Sequence, residues 1–163
     1  MSGRIFIISD LHLGHNSMAI KRGFEDFVEH DTHIIQQWNS VVGKRDTVWV
    51  LGDITMEKSF TYPLLDQLKG FKKIVLGNHD RPQDVPKLLE YVNGVCGLKK
   101  FKKGIILSHA PIHPCEMGRY KLNIHGHVHE NTLPDRRYAN VSAEVINYIP
   151  VDIKQLIEER VVP

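Results

Sequence analysis

The chain has 163 residues, a length that fits one domain, and we expect a single domain over residues 1–163. Hydrophobic residues make up 42% and charged residues 25%, as in an ordinary soluble globular protein, and a net charge of +2 is too small to indicate a nucleic-acid or membrane partner. The apolar run near the N-terminus is too short for a signal sequence or a membrane span, and Cys96 and Cys115 lack Cys-x-x-Cys spacing, so we expect a cytoplasmic protein with free thiols.

The first half of the chain alternates short apolar runs with helical patterns. The runs are β-branched or aromatic and end in glycine or polar residues, which is typical of buried strands. Phe24 to Val42 has mostly helical spacing, with Asp31 and Thr32 as a candidate local break. In chain order we predict a strand in RIFIIS, a helix over 24–42, a strand in TVWVLG, a short helix in TYPLLDQLKG, a strand in KIVLG and a short helix in DVPKLLEYVNG.

Strands dominate the second half of the chain. The basic run LKKFKKG predicts the tip and outer face of a hairpin, with phosphate binding as the less favoured alternative. The runs GIILS, KLNIHG and RRYANVSAEVIN predict strands, and PVDIKQLIEERV predicts a last helix capped by Asp152. This order of elements indicates an α/β domain with a mixed sheet, or with two sheets.

Metal-type ligands follow five of the predicted strands. In α/β sheets, functional groups gather outside the carboxyl ends of strands, so these side chains would meet at one edge. Seven nitrogen and oxygen ligands are too many for one ordinary zinc or iron ion. They suit two ions that share one carboxylate, as in sites for phosphoryl displacement. The seven are Asp10, His12, Asp53, Asn78, His109, His127 and His129.

Each of these residues also has an ordinary interpretation when it is taken alone. Asp10 and Asp53 would more often be turn or cap residues. Asn78 would more often hold a left-handed turn, and His109 would more often be a buried, hydrogen-bonded histidine. The spacing Asp-x-His favours ligation, because alternation along a strand directs both side chains to one side.

The order of the motifs is more specific than any one of them. SDLH, LGD, LGNHD, LSHAP and HGHVH follow one another between Ser9 and His129. This ordered set resembles the calcineurin-like metallophosphoesterase superfamily. The resemblance implies an α/β fold, a four-layer α/β/β/α sandwich of two mixed sheets, with a dinuclear metal site at one edge.

The resemblance also implies a role for each motif residue. One metal ion would be held by Asp10, His12 and His129, the second by Asn78, His109 and His127, and Asp53 would bridge the two. His79 would contact the phosphate or protonate the leaving oxygen, with Asp80 orienting its ring.

Two divalent ions would lower the pKa of a water between them, so that a bridging hydroxide attacks phosphorus near pH 7. Nitrogen and oxygen ligands without thiolate fit two divalent transition-metal ions, Mn first, with Fe, Zn, Ni or Co as alternatives.

Departures from the family pattern narrow the substrate class. Leu76 stands where the Ser/Thr protein phosphatases carry a phosphate-gripping arginine, which favours phosphodiesters of small or nucleotide-like substrates. His15 and Asn16, and with less support Arg81 and Arg119, are candidate substrate contacts. A phosphomonoesterase of the same fold and a non-catalytic binding scaffold stay open. The 163 residues lack the cap domain of the larger DNA-repair nucleases of this superfamily, so we expect an open site.

Three further histidines need separate interpretation. His125 alternates with His127 and His129, but we expect the chain to turn at Gly126, which makes His125 a hydrogen-bond partner of the site instead of a ligand. His30 and His33 lie in the predicted first helix, outside any motif, and are expected to be ordinary surface or core residues.

Overall fold

The computed structural model describes residues 3–101 and 104–160, which form two mixed sheets. The first sheet has five strands, of which four are parallel and the last is antiparallel to its neighbour. The sheet order is β4 (Val95–Cys96), β3 (Phe71–Val75), β2 (Thr47–Val50), β1 (Ile5–Ile8) and β9 (Val151–Asp152). The β9 strand was not predicted, because two residues are too few for a periodic pattern.

The second sheet has four strands. Its first pair is antiparallel and the other pairs are parallel. The sheet order is β5 (Lys99–Phe101), β6 (Ile105–Leu107), β7 (Leu122–His125) and β8 (Tyr138–Asn140). The β5–β6 pair is the predicted basic hairpin, while its predicted tip at Lys102 and Lys103 falls outside the described residues.

Alternation along the first sheet separates two cores. In β1, Ile7 faces the second sheet, whereas Phe6 and Ile8 face the helices. The core between the sheets contains Trp49, Leu51, Val75, Ile105, Leu107, Leu122 and Ile124. The core under the helices contains Val48, Val50, Ile74, Ile34, Trp38, Leu65 and Leu88.

The outer face of the second sheet is covered by the segment that contains α4 (Pro114–Met117). The hydroxyl of Tyr138 donates to Ile112 O at 2.8 Å, and Ile112 N donates to Asn123 Oδ1 at 2.9 Å. The predicted α/β/β/α arrangement is therefore confirmed, with a fourth layer that is only one helical turn deep at α4.

The helices on the first sheet differ from the prediction in their ends. Besides α1 (Asn16–Lys21), α2 spans Phe27–Val41 and begins where Asp26 accepts hydrogen bonds from Val28 N and Glu29 N. It runs through the expected break at Asp31, because that buried side chain leaves the helix to accept a bond from Gly14 N at 2.8 Å.

The shorter predicted helices form only in part. TYPLLDQLKG forms a 3₁₀ helix, Ser59–Gln67, with Pro63 inside it, where an amide hydrogen for α-helical bonding is missing. In DVPKLLEYVNG, α3 spans Val85–Leu88, a single turn. The last helix, α5 (Ile153–Arg160), begins as predicted after Asp152, whose Oδ1 accepts from Lys154 N at 2.9 Å. None of the helices in residues 3–101 and 104–160 has both the length and the apolar character needed to cross a membrane.

RRYANVSAEVIN forms a strand only at β8. Its next residues cross to the first sheet, where Ser142 forms a bridge with Ser9 and Ala143 N donates to Ser9 O at 2.9 Å. The chain then turns, and Asn147 and Tyr148 adopt positive φ angles of 52° and 61°. This crossing brings the ends of β1 and β8 to the same edge.

Candidate metal centre

Backbone turns, not strand alternation, aim the predicted ligands. The β1 strand ends at Ile8, so the predicted alternation argument for Asp10 and His12 is wrong. Residues other than glycine rarely adopt positive φ, and such residues cluster at functional sites. Five of the seven predicted ligands do so: Asp10 (58°), His12 (49°), Asp53 (52°), His127 (69°) and His129 (52°).

A first group of donor atoms comes from Asp10, His12 and His129, which offer atoms within 4.8 Å of one another. One oxygen of Asp10, Oδ2, accepts hydrogen bonds from His127 N and Ser142 Oγ, both at 2.9 Å. The other oxygen, Oδ1, and both ring nitrogens of His12 are buried and have no hydrogen-bond partner within the described chain. Buried polar atoms without partners are costly, so these atoms point to a bound cation.

A second group surrounds the ring of His109. Its Nε2 lies 2.9 Å from Asn78 Oδ1, 3.1 Å from His127 Nδ1 and 3.4 Å from Asp53 Oδ2. The same oxygen of Asp53 lies 3.9 Å from His12 Nε2, so Asp53 stands between the two groups. The structure thus brings all seven predicted ligands together in two adjoining sets.

The protonation states of His12 and Asp53 suit cation binding. Burial lowers the pKa of His12 to about 3, which leaves its imidazole neutral. Burial opposes ionisation of Asp53, but its hydrogen bond with His109 holds the pKa of the carboxyl below its ordinary value. Metal ions bind neutral imidazole and ionised carboxylate, so the residues present fit divalent transition-metal ions.

Two outer contacts fix the histidine rings. His109 Nδ1 lies 2.7 Å from Leu51 O, and His129 Nδ1 lies 2.5 Å from Glu144 Oε1. We assign a hydrogen to Nδ1 of each ring, which donates it to the oxygen named. Nε2 of each ring is then left without a hydrogen and is free to bind a metal ion. Burial raises the pKa of Glu144, but the bond with His129 and the nearby Arg22 charge lower it to about 2. Glu144 was not predicted, because it belongs to no motif and lies 15 residues after His129.

His79 lies beside the first group, with its ring 6.1 Å from the ring of His12. Its backbone N donates to Asp53 Oδ1 at 3.0 Å, and its half-buried ring has Nδ1 3.9 Å from Glu57 Oε1. Glu57 has a positive φ of 56°, and no sequence motif indicated it.

The prediction that Asp80 orients the ring of His79 is corrected. The buried carboxylate of Asp80 accepts hydrogen bonds from the backbone N of Asp53 (2.8 Å), Ile54 (3.1 Å) and Gly77 (2.8 Å). It therefore shapes the turn that carries Asp53. The carboxylate that the structure pairs with the His79 ring is that of Glu57.

The predicted substrate contacts fall into two sets. His15 lies near the centre, with its ring 6.4 Å from that of His12, although its Nδ1 also accepts from Met18 N at 2.9 Å. Asn16 uses its Oδ1 to accept a bond from Phe27 N at 3.2 Å. Within the described residues, neither side chain forms a hydrogen bond with a residue of the two donor groups.

The two arginines are held elsewhere. Arg81 forms an ion pair with Asp84 at 2.6 Å. Arg119 lies by Gly104, where β6 and β7 begin, whereas the donor atoms lie where these strands end. The structure therefore does not bring the backbone of Arg119 to the donor atoms, because the length of β6 and β7 lies between them.

Three other histidines stand outside both groups. His125 is buried, and its Nδ1 bonds with Gly126 O at 2.9 Å. His30 is also buried, as one of the two expected outcomes, and bonds with Arg22 and Asp31, both at 2.9 Å. His33 packs its ring 5.3 Å from that of Phe24.

Comparison with known proteins defines the class. The calcineurin-like phosphoesterase superfamily domain matches residues 4–147. An uncharacterised protein of Methanocaldococcus jannaschii is 34% identical over 172 aligned residues, which cover 95% of this chain and 90% of that protein. The Gene 66 protein of Mycobacterium phage D29 is 30% identical, over 95% of this chain and 96% of the phage protein. The chain therefore belongs to the calcineurin-like phosphoesterase superfamily, as its five motifs predicted.

A solved structure of a protein of unknown function from Aquifex aeolicus shares the fold. It superposes with a TM-score of 0.76 at 24% identity and covers 97% of this chain and 100% of its own. At this identity the likeness concerns the fold alone. Family and site together define a phosphoesterase domain with a group of residues able to hold metal ions.

Proposed function

We propose that this protein is a phosphodiesterase that depends on two divalent metal ions. The observation that carries the proposal is the convergence of seven donor residues, among which Asp10 Oδ1 and both ring nitrogens of His12 are buried without hydrogen-bond partners in the described chain. A structure tolerates such atoms when a ligand satisfies them.

Each ion would have its own donor set. Asp10, His12 and His129 would hold the first ion, Asn78, His109 and His127 the second, and Asp53 would contact both. When bound, two divalent ions would supply hydroxide near neutral pH and neutralise charge on the phosphate. Manganese is our first choice, with iron, zinc, nickel and cobalt as alternatives for a site without thiolate.

His79 would assist the leaving group. Its ring is half-buried beside His12, and its backbone is fixed by the bond to Asp53 Oδ1 at 3.0 Å. A histidine can hold a proton near neutral pH and give it to the departing oxygen. The Glu57 carboxylate, 3.9 Å from Nδ1, would help to keep the ring in this position.

The charges around the centre favour a diester over a monoester. A phosphomonoester dianion is best held by the fork of a free arginine. Leu76 instead packs against the core under the helices. Arg22 is paired with Glu144 and Arg81 with Asp84, both at 2.6 Å.

The substrate that fits is a small or nucleotide-like diester. Cyclic nucleotides, other nucleotide diesters and nucleic-acid ends are the candidates, and we expect the reaction to take place in the cytoplasm. A screen of cyclic and linear nucleotides, each with its monoester product as comparison, would identify the natural class.

The central experiment compares two chromogenic esters. Metal-free protein receives Mn²⁺, and hydrolysis of bis(p-nitrophenyl) phosphate is measured against p-nitrophenyl phosphate. We expect turnover that requires the ion and is faster for the diester. The variant His125→Asn should keep two ions bound, because His125 bonds to Gly126 O outside both donor groups.

Other outcomes would replace the proposal. Two ions bound without turnover, for every metal tested, would favour a binding scaffold. Faster hydrolysis of the monoester would favour a phosphomonoesterase of the same fold.

A further inference from the structure

We propose that Arg22 and Glu144 are positioning residues that join the two loops carrying the ligands of the first ion; this inference rests on the metal centre of the proposed function. Arg22 follows α1, and its side chain is 3% exposed, while Glu144 follows β8. Their ion pair, Arg22 Nη2 to Glu144 Oε2, is 2.6 Å long and joins residues 122 positions apart.

Arg22 stabilises the loop that carries Asp10. Its Nη2 donates to Asp10 O at 2.7 Å, and its Nη1 donates to Leu11 O at 3.3 Å. The two terminal nitrogens together carry four hydrogens, and the remaining bonds are to Glu144 and to His30 Nε2 at 2.9 Å. The guanidinium thus fixes two carbonyls in a loop whose positive φ angles at Asp10 and His12 are otherwise unfavourable.

Glu144 stabilises the ring of His129 from the other side. Its Oε2 pairs with Arg22, and its Oε1 lies 2.5 Å from His129 Nδ1. Asp10 follows a strand of the first sheet and His129 follows a strand of the second sheet. The pair therefore sets the distance between ligands that the two sheets deliver separately.

Helix α2 anchors the same network. His30 bonds through Nε2 to Arg22 and through Nδ1 to Asp31 Oδ1, both at 2.9 Å. Asp31 Oδ2 accepts from Gly14 N at 2.8 Å, at the far end of the loop that begins at Asp10. The loop is held at both ends by charged groups that are themselves buried, and this fixes its shape before any ion arrives.

Loss of the Glu144 charge would have two consequences. The ring of His129 would lose its charged acceptor, and the buried Arg22 cation would lose its counterion close to a centre that must itself bind cations. Both effects should weaken binding of the first ion more than that of the second, because Glu144 bonds to the ring of His129, which belongs to the first donor group alone. Removal of an outer partner of a metal ligand typically lowers affinity by about 10–100-fold.

The test measures Mn²⁺ binding to the Glu144→Gln variant by titration calorimetry and by electron paramagnetic resonance. We expect one of two ions to bind about 10–100-fold more weakly, with the other unchanged. At limiting Mn²⁺, the electron paramagnetic resonance spectrum should change from that of two coupled ions in the wild type to that of an isolated ion in the variant. The matched control is Asp135→Asn, which removes an exposed ion pair of the same length, 2.6 Å, to Arg137 and should leave both affinities as in the wild type.

Arg22→Lys provides the second variant. Lysine keeps the charge but loses the fork, so it cannot hold Asp10 O, Leu11 O and Glu144 together. The double variant Arg22→Lys, Glu144→Gln should bind the first ion about as weakly as either single variant, because both changes break one network. Urea unfolding without metal shows which variants are folded at the temperature of the binding measurement.

Two results separate this inference from the proposed function. Wild-type affinity for both ions in folded Glu144→Gln and Arg22→Lys would overturn the inference alone. Two ions bound by the wild type, without hydrolysis of any diester, would overturn the proposed function alone. A wild-type chain that binds no divalent ion would overturn both.

Discussion

Replacement of Gly126 by alanine would place a methyl group inside the proposed metal centre. The new Cβ would lie 1.9 Å from Ser9 Oγ and 2.2 Å from Asp10 Oδ2, whereas real Cβ contacts are essentially never under 3.0 Å. Neither neighbour can yield easily. Ser9 is buried and donates its hydroxyl to Leu51 O at 2.6 Å, and Asp10 Oδ2 is held by two hydrogen bonds.

The cost follows from these contacts. Overpacking of a buried site costs about 1–3 kcal/mol. Loss of the Ser9 hydrogen bond adds about 1 kcal/mol, so we expect the free energy of unfolding to fall by about 2–4 kcal/mol. Displacement of Asp10 should also weaken Mn²⁺ binding, because Asp10 offers an oxygen atom to both groups of possible metal ligands.

Urea unfolding of metal-free protein and calorimetric titration with Mn²⁺ would measure both effects. The control is Gly97→Ala, since a Cβ at Gly97 meets no atom within 4 Å. We expect that control to change stability by less than about 1 kcal/mol. A Gly126→Ala protein with wild-type stability and two tightly bound ions would refute the steric argument and the placement of Asp10 beside the Gly126 turn.

Three other perturbations test separate features. His79→Ala should keep two bound ions but lower turnover by about 10²–10⁴-fold, as for loss of a general acid; loss of an ion would show that His79 is a ligand. Chelation with EDTA should lower the free energy of unfolding by about 2.7 kcal/mol for each ion present at 100 times its Kd, measured by urea titration with and without metal. Burial, with the Asp80 and Asp84 charges, raises the pKa of Tyr62 from 10.0 to about 12. Because the native state keeps this proton longer than the unfolded chain, the stabilisation is present below pH 10 and is lost between pH 10 and about 12. Over that range, the free energy of unfolding of the wild type should therefore fall by about 2 kcal/mol relative to that of Tyr62→Phe. Parallel pH profiles of the two unfolding free energies would contradict this prediction.

Sequence patterns predicted the strands of the fold better than its helices. The apolar runs around Ile5–Ile8 and Thr47–Val50 are buried on both faces, so they stay apolar whichever layer packs on each face of the strand. Helix ends depend on individual side chains. Asp26 starts α2, and Asp31 leaves the helix pattern intact because Gly14 N, far along the chain, satisfies its carboxylate.

The partners of the site residues were less accessible than the residues themselves. Asp80 was expected to hold His79, but its neighbours in space are the amides of the Asp53 turn. The carboxylate beside the His79 ring comes from Glu57, which no motif marks. A hydrogen-bond partner can come from any segment that folding brings near, so spacing along the chain does not indicate it.

The family, the order of the strands and the seven candidate donor residues at their ends could all be predicted from the sequence. These features are local, because a short apolar run followed by Asp, His or Asn can be recognised in the sequence without knowledge of the fold. The orientation of these candidate donors, and the contacts that hold them, are visible only in the folded protein. The left-handed turns at Asp10 and His12 depend on carbonyl bonds to Arg22, and the ring of His129 depends on Glu144. Arg22 and Glu144 lie 122 positions apart, and they become partners only when the two sheets meet at one edge.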